Sequence, residues 1–444
     1  MQAVFQKIGA VFISIIMAFL SVFGVSFEHK AENVTPTYVS NAVSPGGNEK
    51  TDELKALYNA VMAHEPAVTP CPEKDPYPGD SRIKAIYYEG ETCRGETPRV
   101  FAYIGFPENA SPENKVPAMV LVHGGGAHAW APWVQYWVDQ GYAAISMECF
   151  GQEYIGEDRT YSDDSAYWAV DPASHLPMDS FASRNLPFED QWFYYFIADI
   201  ILGHNVLRAD PRVDVTRVGL TGISWGGFAS SVAVCYDSRF AFAAPVYGSG
   251  FQDVSRTVWG QTFRGDGVSN VWDAELLLPE VQTPVMWFNG DNDPFFSADS
   301  TAASAAAAPN GALTFIPSFP HGMYQAIELP EILRFANGQT GMGEGNIQIE
   351  TVSYNDTRAV VTFLLPSDVK SPSVYVYYRS TPLEYTENEL NDPWQCKKGI
   401  ALGGHGSVRI PEGTTQFYIL VEGKTRGLTD RQTLHASSGI FTAE

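Results

Sequence analysis

Val218-Gly219-Leu220-Thr221-Gly222-Ile223-Ser224-Trp225-Gly226-Gly227-Phe228 decides how the chain is read. An apolar run ends in Gly222-Ile223-Ser224-Trp225-Gly226, and a helix-compatible segment follows. Gly-x-Ser-x-Gly between a strand and a helix is the pattern of a nucleophile elbow, a turn so sharp that it lifts the serine hydroxyl clear of the sheet. The glycines keep side chains out of a backbone too tight to hold them. Alone, five residues of this kind are a weak sign, because plain loops match them often. The strand before them and the partners downstream supply the weight.

Outward from the elbow, residues 118–122 form a continuous apolar run that enters His123-Gly124-Gly125-Gly126. A helix is predicted over 130–140, closed by Gly141, and a buried strand over 142–147. Strand, glycine turn, helix and strand make a βαβ unit, which implies a parallel sheet. Further helices are expected over 51–65, 190–208, 298–308 and 324–336, and strands over 242–247, 284–288 and 313–316. Residues 83–88 and 99–104 alternate like an antiparallel edge. Residues 51–340 therefore read as one α/β domain with a central, mostly parallel sheet. From 345 to 444 helix signals vanish and short alternating strands predict a separate C-terminal β-sandwich. Two long segments, 151–189 and 249–280, leave the C-terminal ends of strands, where such sheets place their ligands. They carry Tyr154, Tyr161, Tyr167, Trp168, Trp259 and Trp272.

Composition bounds the reading. Of 444 residues, 45% are hydrophobic and 18% charged, as expected of a packed globular chain. A net charge of −23 repels phosphate backbones and argues against nucleic-acid partners. Residues 1–30 hold Lys7 and an uncharged apolar stretch from Ile8 to Phe27. That is a signal peptide, or a membrane anchor if it stays uncleaved, and it implies a secreted or extracytoplasmic protein. Residues 31–50 read as a linker. The five cysteines show no zinc spacing. In an exported chain Cys71 and Cys93 could pair; the alternative is that most cysteines are small buried residues.

A serine hydroxyl attacks only when an imidazole takes its proton, and the imidazole needs a carboxylate to orient it. In this architecture the chain order is serine, acid, histidine. Three histidines follow Ser224, and two of them, His405 and His435, fall in the expected sandwich. His321 sits in Pro320-His321-Gly322, between a strand and a helix. The acid should close the strand before it, in Asn289-Gly290-Asp291-Asn292-Asp293; Asp293 is favoured and Asp291 is the alternative. Two backbone N–H groups must receive the developing negative oxygen. Trp225 offers one, and Gly125 or Gly126 the other. The glycine turn lacks the lysine of a phosphate cradle. His123 and His128 have no carboxylate or cysteine at ligand spacing and read as structural. No metal or cofactor is called for. Trp130, beside the glycine turn, is a candidate wall for substrate.

These segments, together with Pro245-Val246-Tyr247-Gly248, resemble the secreted α/β-hydrolases of the acetyl xylan esterase-like and prolyl oligopeptidase-like group, with dienelactone hydrolases more distant. The resemblance covers about residues 100–336. It implies an α/β-hydrolase fold, a triad of Ser224, Asp293 and His321, and hydrolysis of carboxylic esters, often deacetylation of plant polysaccharide. Glucuronoyl esterases carry Cys and Arg around the serine, and Ile223 and Trp225 depart from that. The competing reading is a peptidase that grips a peptide amino terminus with Glu148, Glu153 or the pair Glu157-Asp158. A non-catalytic scaffold would predict a lost triad member, and none is missing.

Overall fold

The computed structural model describes residues 47–77, 79–155, 168–253, 255, 257, 260, 263, 267–381, 385–386, 389–390, 394–426 and 432–443. The expectations for residues 1–46, for Tyr161, Tyr167 and Trp259, and for Glu157-Asp158 lie outside them. The chain divides into two compact units, one reaching Gly343 and the other starting at Glu344.

The larger unit is built on a nine-stranded sheet. Its strands are β1 (Val68–Pro70), β2 (Ile83–Glu89), β3 (Arg99–Gly105), β4 (Val116–Val122), β5 (Ala143–Met147), β8 (Val213–Ile223), β9 (Phe242–Val246), β10 (Val285–Gly290) and β11 (Gly311–Ile316). Two short strands between them, β6 (Gln152–Tyr154) and β7 (Trp168–Val170), pair only with each other. The sheet order is β1-β2-β3-β5-β4-β8-β9-β10-β11. From β5 to β11 neighbours are parallel; β1, β2 and β3 form an antiparallel edge. β4 is buried at every residue, as a strand covered on both faces must be.

Helices cover both faces. On one side, α2 (Ala131–Asp139) and α7 (Pro330–Thr340) share a core with Met119, Leu121 and Ala144. On the other lie α3 (Trp192–Ala209) and α4 (Trp225–Tyr236), and α5 (Ala298–Ala307) packs on β10 and β11. The ideal Cβ of Gly203 would come 2.4 Å from Met147 Cε, so the missing side chain leaves room for that methionine's terminal methyl between α3 and the sheet. Helix α1 (Glu49–Ala63) packs on α3 and α4 through Tyr58, whose ring lies 5.3 Å from Tyr194 and 5.0 Å from Tyr236.

Three local expectations change. Helix α1 starts two residues early, because Asn48 closes a capping box with Thr51; the linker expected to run to residue 50 ends before it. The helix expected over 324–336 is two helices, α6 (Met323–Ile327) and α7. Pro330 has no N–H to continue a helix and holds Leu329 extended, so it opens the second one instead. Cys71 and Cys93 are buried free thiols rather than a disulfide. Cys71 Sγ lies 3.0 Å from Glu73 Oε1, and burial with that bond pushes its thiol up to about 12.

The smaller unit is antiparallel. One sheet holds Gln348–Asn355, Arg358–Leu364, His405–Arg409 and Ile400–Leu402; the other holds Gln395–Lys398, Val369–Arg379, Gln416–Thr425, Thr433–Ser437 and Phe441–Thr442. Val361, Val374, Val376, Phe417, Ile419 and Val421 meet in one core. They come from alternate positions of both sheets, which is what packs two sheets face to face. Among the described residues no helix is long and apolar enough to cross a membrane.

Candidate active site

The site grows from the junction of β8 and α4. Ser224 sits there at φ +58° and ψ −117°. A side-chain-bearing residue at such angles costs about 1–3 kcal/mol, so the surroundings must hold it. They do so from both ends: Ser224 N–H donates to Val246 O at 3.1 Å, and Phe228 N–H donates to Ser224 O at 2.9 Å. A Cβ on Gly222 would fall 2.1 Å from Gly226 O, and one on Gly226 would fall 2.1 Å from Val122 O. The glycines are thus required by contact with backbone, which cannot yield.

Asp293 and His321 arrive on the loops after β10 and β11. His321 Nε2 lies 2.9 Å from Ser224 Oγ, and His321 Nδ1 lies 2.6 Å from Asp293 Oδ2. A carboxylate only accepts, so Nδ1 carries the proton and Nε2 accepts from the serine hydroxyl. The other oxygen of Asp293 accepts from Phe295 N–H at 2.9 Å and Phe296 N–H at 2.8 Å. The carboxylate is fully buried and cannot swing away. Asp291 instead accepts from Ser318 N–H, at 3.4 Å, and it is Asp293 that meets His321. Tyr247 steadies the histidine loop: its hydroxyl donates to Gly322 O at 2.6 Å, and its ring centroid lies 4.2 Å from that of His321.

Trp225 heads α4, where backbone N–H groups have no acceptor within the helix and the helix dipole favours negative charge. Facing it is the glycine turn after β4. A Cβ on Gly125 would lie 2.6 Å from Trp225 Cδ1, whereas one on Gly126 would meet nothing within 4 Å. Trp130 is 7% exposed and belongs to the core, with its backbone N–H donating to Ser146 Oγ at 3.0 Å. Its ring meets edge-on that of Tyr324, two residues after Gly322 and 58% exposed. The tyrosine is what reaches solvent beside the histidine loop, and no motif marked it.

The long segments converge here too. Trp168 stacks on His128 at 4.5 Å, and Phe181 packs 5.5 Å from Trp225. Trp272 is buried, with its indole N–H on Gln191. His123 and His128, read as structural because no carboxylate stood at ligand spacing along the chain, gain a carboxylate neighbour in the fold. Pairing of Val122 with Met147 carries Glu148 to the end of β4, 3.5 Å from His123 Nε2 and 3.8 Å from His128 Nδ1. Glu153 is held by Lys74 at 2.6 Å and Tyr87 at 2.5 Å. Burial opposes its ionisation, but those hydrogen bonds keep its carboxyl below the usual range. Two carboxylates suggested for gripping a peptide amino terminus are therefore committed inside the fold. Among the described residues no cluster of three or more His, Cys, Asp or Glu side chains has the geometry of a metal site.

Residues 82–256 match the family model described as acetyl xylan esterase (AXE1). The probable dipeptidyl-peptidase 5 of Aspergillus clavatus is 29% identical over 119 residues, which make up 25% of this chain and 16% of that protein. The match thus spans under a fifth of that relative's length. Among solved structures, the acetyl xylan esterase from Paenibacillus sp. R4 superposes with a TM-score of 0.51 at 16% identity, over 67% of this chain and 96% of that one. Acetyl xylan esterase 1 from Thermoanaerobacterium sp. JW/SL YS485 gives 0.49 at 17% identity, over 67% and 95%.

Proposed function

We propose that this chain, an α/β hydrolase similar over residues 82–256 to acetyl xylan esterases, is a serine carboxylesterase acting on acetylated carbohydrate. The observation that carries the reading is the unbroken run of hydrogen bonds from Ser224 through His321 to Asp293 at a strained strand-to-helix turn. Ser224 Oγ attacks the ester carbonyl as its proton passes to His321 Nε2. Asp293 holds the ring and stabilises the imidazolium. Trp225 N–H and one glycine-turn N–H receive the negative oxygen. The intermediate collapses, the C–O bond to the leaving alcohol breaks, and His321 returns the proton to that oxygen. Water, deprotonated by the same histidine, then releases the acid. The apolar stretch of residues 8–27 supports export, which would bring the enzyme to polysaccharide outside the cell.

The peptidase alternative has one specific support, the similarity to the Aspergillus dipeptidyl-peptidase. Against it stand the burial of Glu148, 1% exposed, and the internal partners of Glu153. The test compares p-nitrophenyl acetate and acetylated xylan with aminoacyl and prolyl anilides, beside Ser224→Ala. Ester turnover that disappears in the variant, with the anilides untouched, is expected. Anilide turnover of similar efficiency would move the protein to the peptidases.

A further inference from the structure

We propose that His123 is a positioning residue that sets the second oxyanion donor, and that this donor is the N–H of Gly125. The proposal rests on the hydrolase reading above. His123 is fully buried at the end of β4. Its Nε2 accepts the backbone N–H of Cys149 at 3.1 Å. A nitrogen that accepts carries no proton, so the proton of the neutral ring is on Nδ1. Nδ1 lies 2.9 Å from Gly124 O and donates to it. Burial holds the imidazole below its ordinary value, against the opposing charge of Glu148, which favours this neutral form.

The consequence follows from the peptide unit itself. Gly124 C=O and Gly125 N–H share one planar trans unit and point in opposite directions. Gly124 O is held on the inner side by His123 Nδ1–H and by Ala127 N–H at 3.2 Å. Gly125 N–H therefore faces outward, and Gly125 is exposed. The same unit runs beside the nucleophile: a Cβ on Gly124 would lie 3.1 Å from Ser224 Cβ, and one on Gly125 2.6 Å from Trp225 Cδ1. Gly126 stands away from both and, at φ +71°, supplies the left-handed corner of the turn. The unit could otherwise rotate and present its carbonyl to the negative oxygen. Its orientation is fixed by His123, which is fixed in turn by Cys149 at the end of the neighbouring strand. Phe150 adds an edge-on ring 4.6 Å away.

The test uses His123→Phe, which keeps a ring but removes both polar contacts, and His123→Asn, whose amide can restore the donor to Gly124 O. His123→Gln is the control, since its longer side chain reaches past that carbonyl. Loss of one oxyanion donor costs about 10²–10³ in kcat. With p-nitrophenyl acetate we expect that loss in His123→Phe with KM changed by less than about threefold, the split expected of an interaction made only in the transition state. His123→Asn should recover at least a tenfold share and His123→Gln should not. Labelling of Ser224 by a fluorophosphonate, whose phosphoryl oxygen occupies the same hole, should slow in the same order. If His123→Phe does not fold, the Asn and Gln variants decide. A folded His123→Phe with kcat close to wild type, or equal recovery in Asn and Gln, would overturn the proposal. Wild-type protein that is labelled but cleaves no ester would overturn the esterase reading alone, and the labelling rates would still decide the role of His123.

Discussion

Among the described residues, three histidines are held by a buried aspartate, and one of them has a serine on its other side. His321–Asp293 and His175–Asp199 are both 2.6 Å apart, and His204–Asp237 is 2.9 Å apart. In His204–Asp237 the ring lies flat on Phe240 at 4.0 Å, and its Nε2 is buried with no hydrogen-bond partner. In His175–Asp199 the second nitrogen donates to Leu176 O at 2.7 Å. Burial works against charge on His175, but the carboxylate and its hydrogen bond outweigh it and raise the ring above its ordinary value. A histidine oriented by a carboxylate is therefore common structural material here. What singles out His321 is a hydroxyl at 2.9 Å on Nε2 and a ring whose side chain is 16% exposed, against 0% for the other two. Chemistry needs the third partner and the opening.

The comparison breaks most directly by kinetics. Ser224→Ala and His321→Ala should each lower ester kcat by about 10⁴-fold or more, because members of such a unit act together. Melting temperatures should stay within a few degrees of wild type. His204→Ala should do the reverse, leaving kcat of the folded protein within twofold. A His204 variant that lost activity while keeping its fold would show that the pairs are not separable in this way.

The next largest effect concerns the backbone that presents the serine. The Cβ in Gly226→Ala would stand 2.1 Å from Val122 O, so β4 and α4 would have to separate. We expect a loss of about 3 kcal/mol or more, read as a fall in denaturant midpoint. A midpoint equal to that of wild type would mean that β4 and α4 can move apart without cost.

What could be read in advance, and what could not, follows the same division. The meeting of Ser224, Asp293 and His321 was legible because each sits in a short motif closing a strand, and strand order fixes where such closures meet. The parallel sheet was legible from runs such as 118–122, apolar at every position because both faces are covered. Glu148 beside His123 was not, since only the β4–β5 register brings positions 25 apart in the chain together. The same blindness explains Trp130 and Tyr324: composition marks an aromatic ring, but burial decides which one meets solvent. The break at Pro330 was missed because the apolar period continues on either side of it, although a proline disfavours helix at the residue before it.

His204→Ala sharpens the comparison on the stability side. It removes a ring packed on Phe240 and a hydrogen bond to Asp237, while the guanidinium of Arg239 keeps the carboxylate paired through two 2.8 Å contacts. Because the charge is not orphaned, the loss should be about 2–3 kcal/mol rather than the larger cost of an unpaired buried ion. A double variant with Arg239→Gln should lose more than the sum of the singles, since Asp237 would then keep neither the guanidinium nor the imidazole that hydrogen-bonds it. Simple additivity would mean that water reaches the site.

The smallest effect expected is in acid. Burial of Asp237 disfavours its charge, but hydrogen bonds from Arg239 and His204 outweigh it and hold its carboxyl well below the usual range. A carboxyl depressed in the folded state stabilises the fold above its unfolded value of about 4, and that contribution is lost as pH falls through the lower, folded value. Asp237→Asn should therefore be less stable than wild type at pH 7, and the gap should narrow as pH drops below about 4. Asp293→Asn supplies the contrast, since it should abolish turnover at pH 7 by leaving His321 in the wrong tautomer. Melting curves from pH 7 to 3 would check the first, and a constant gap between Asp237→Asn and wild type would show that the pair contributes through packing instead of charge.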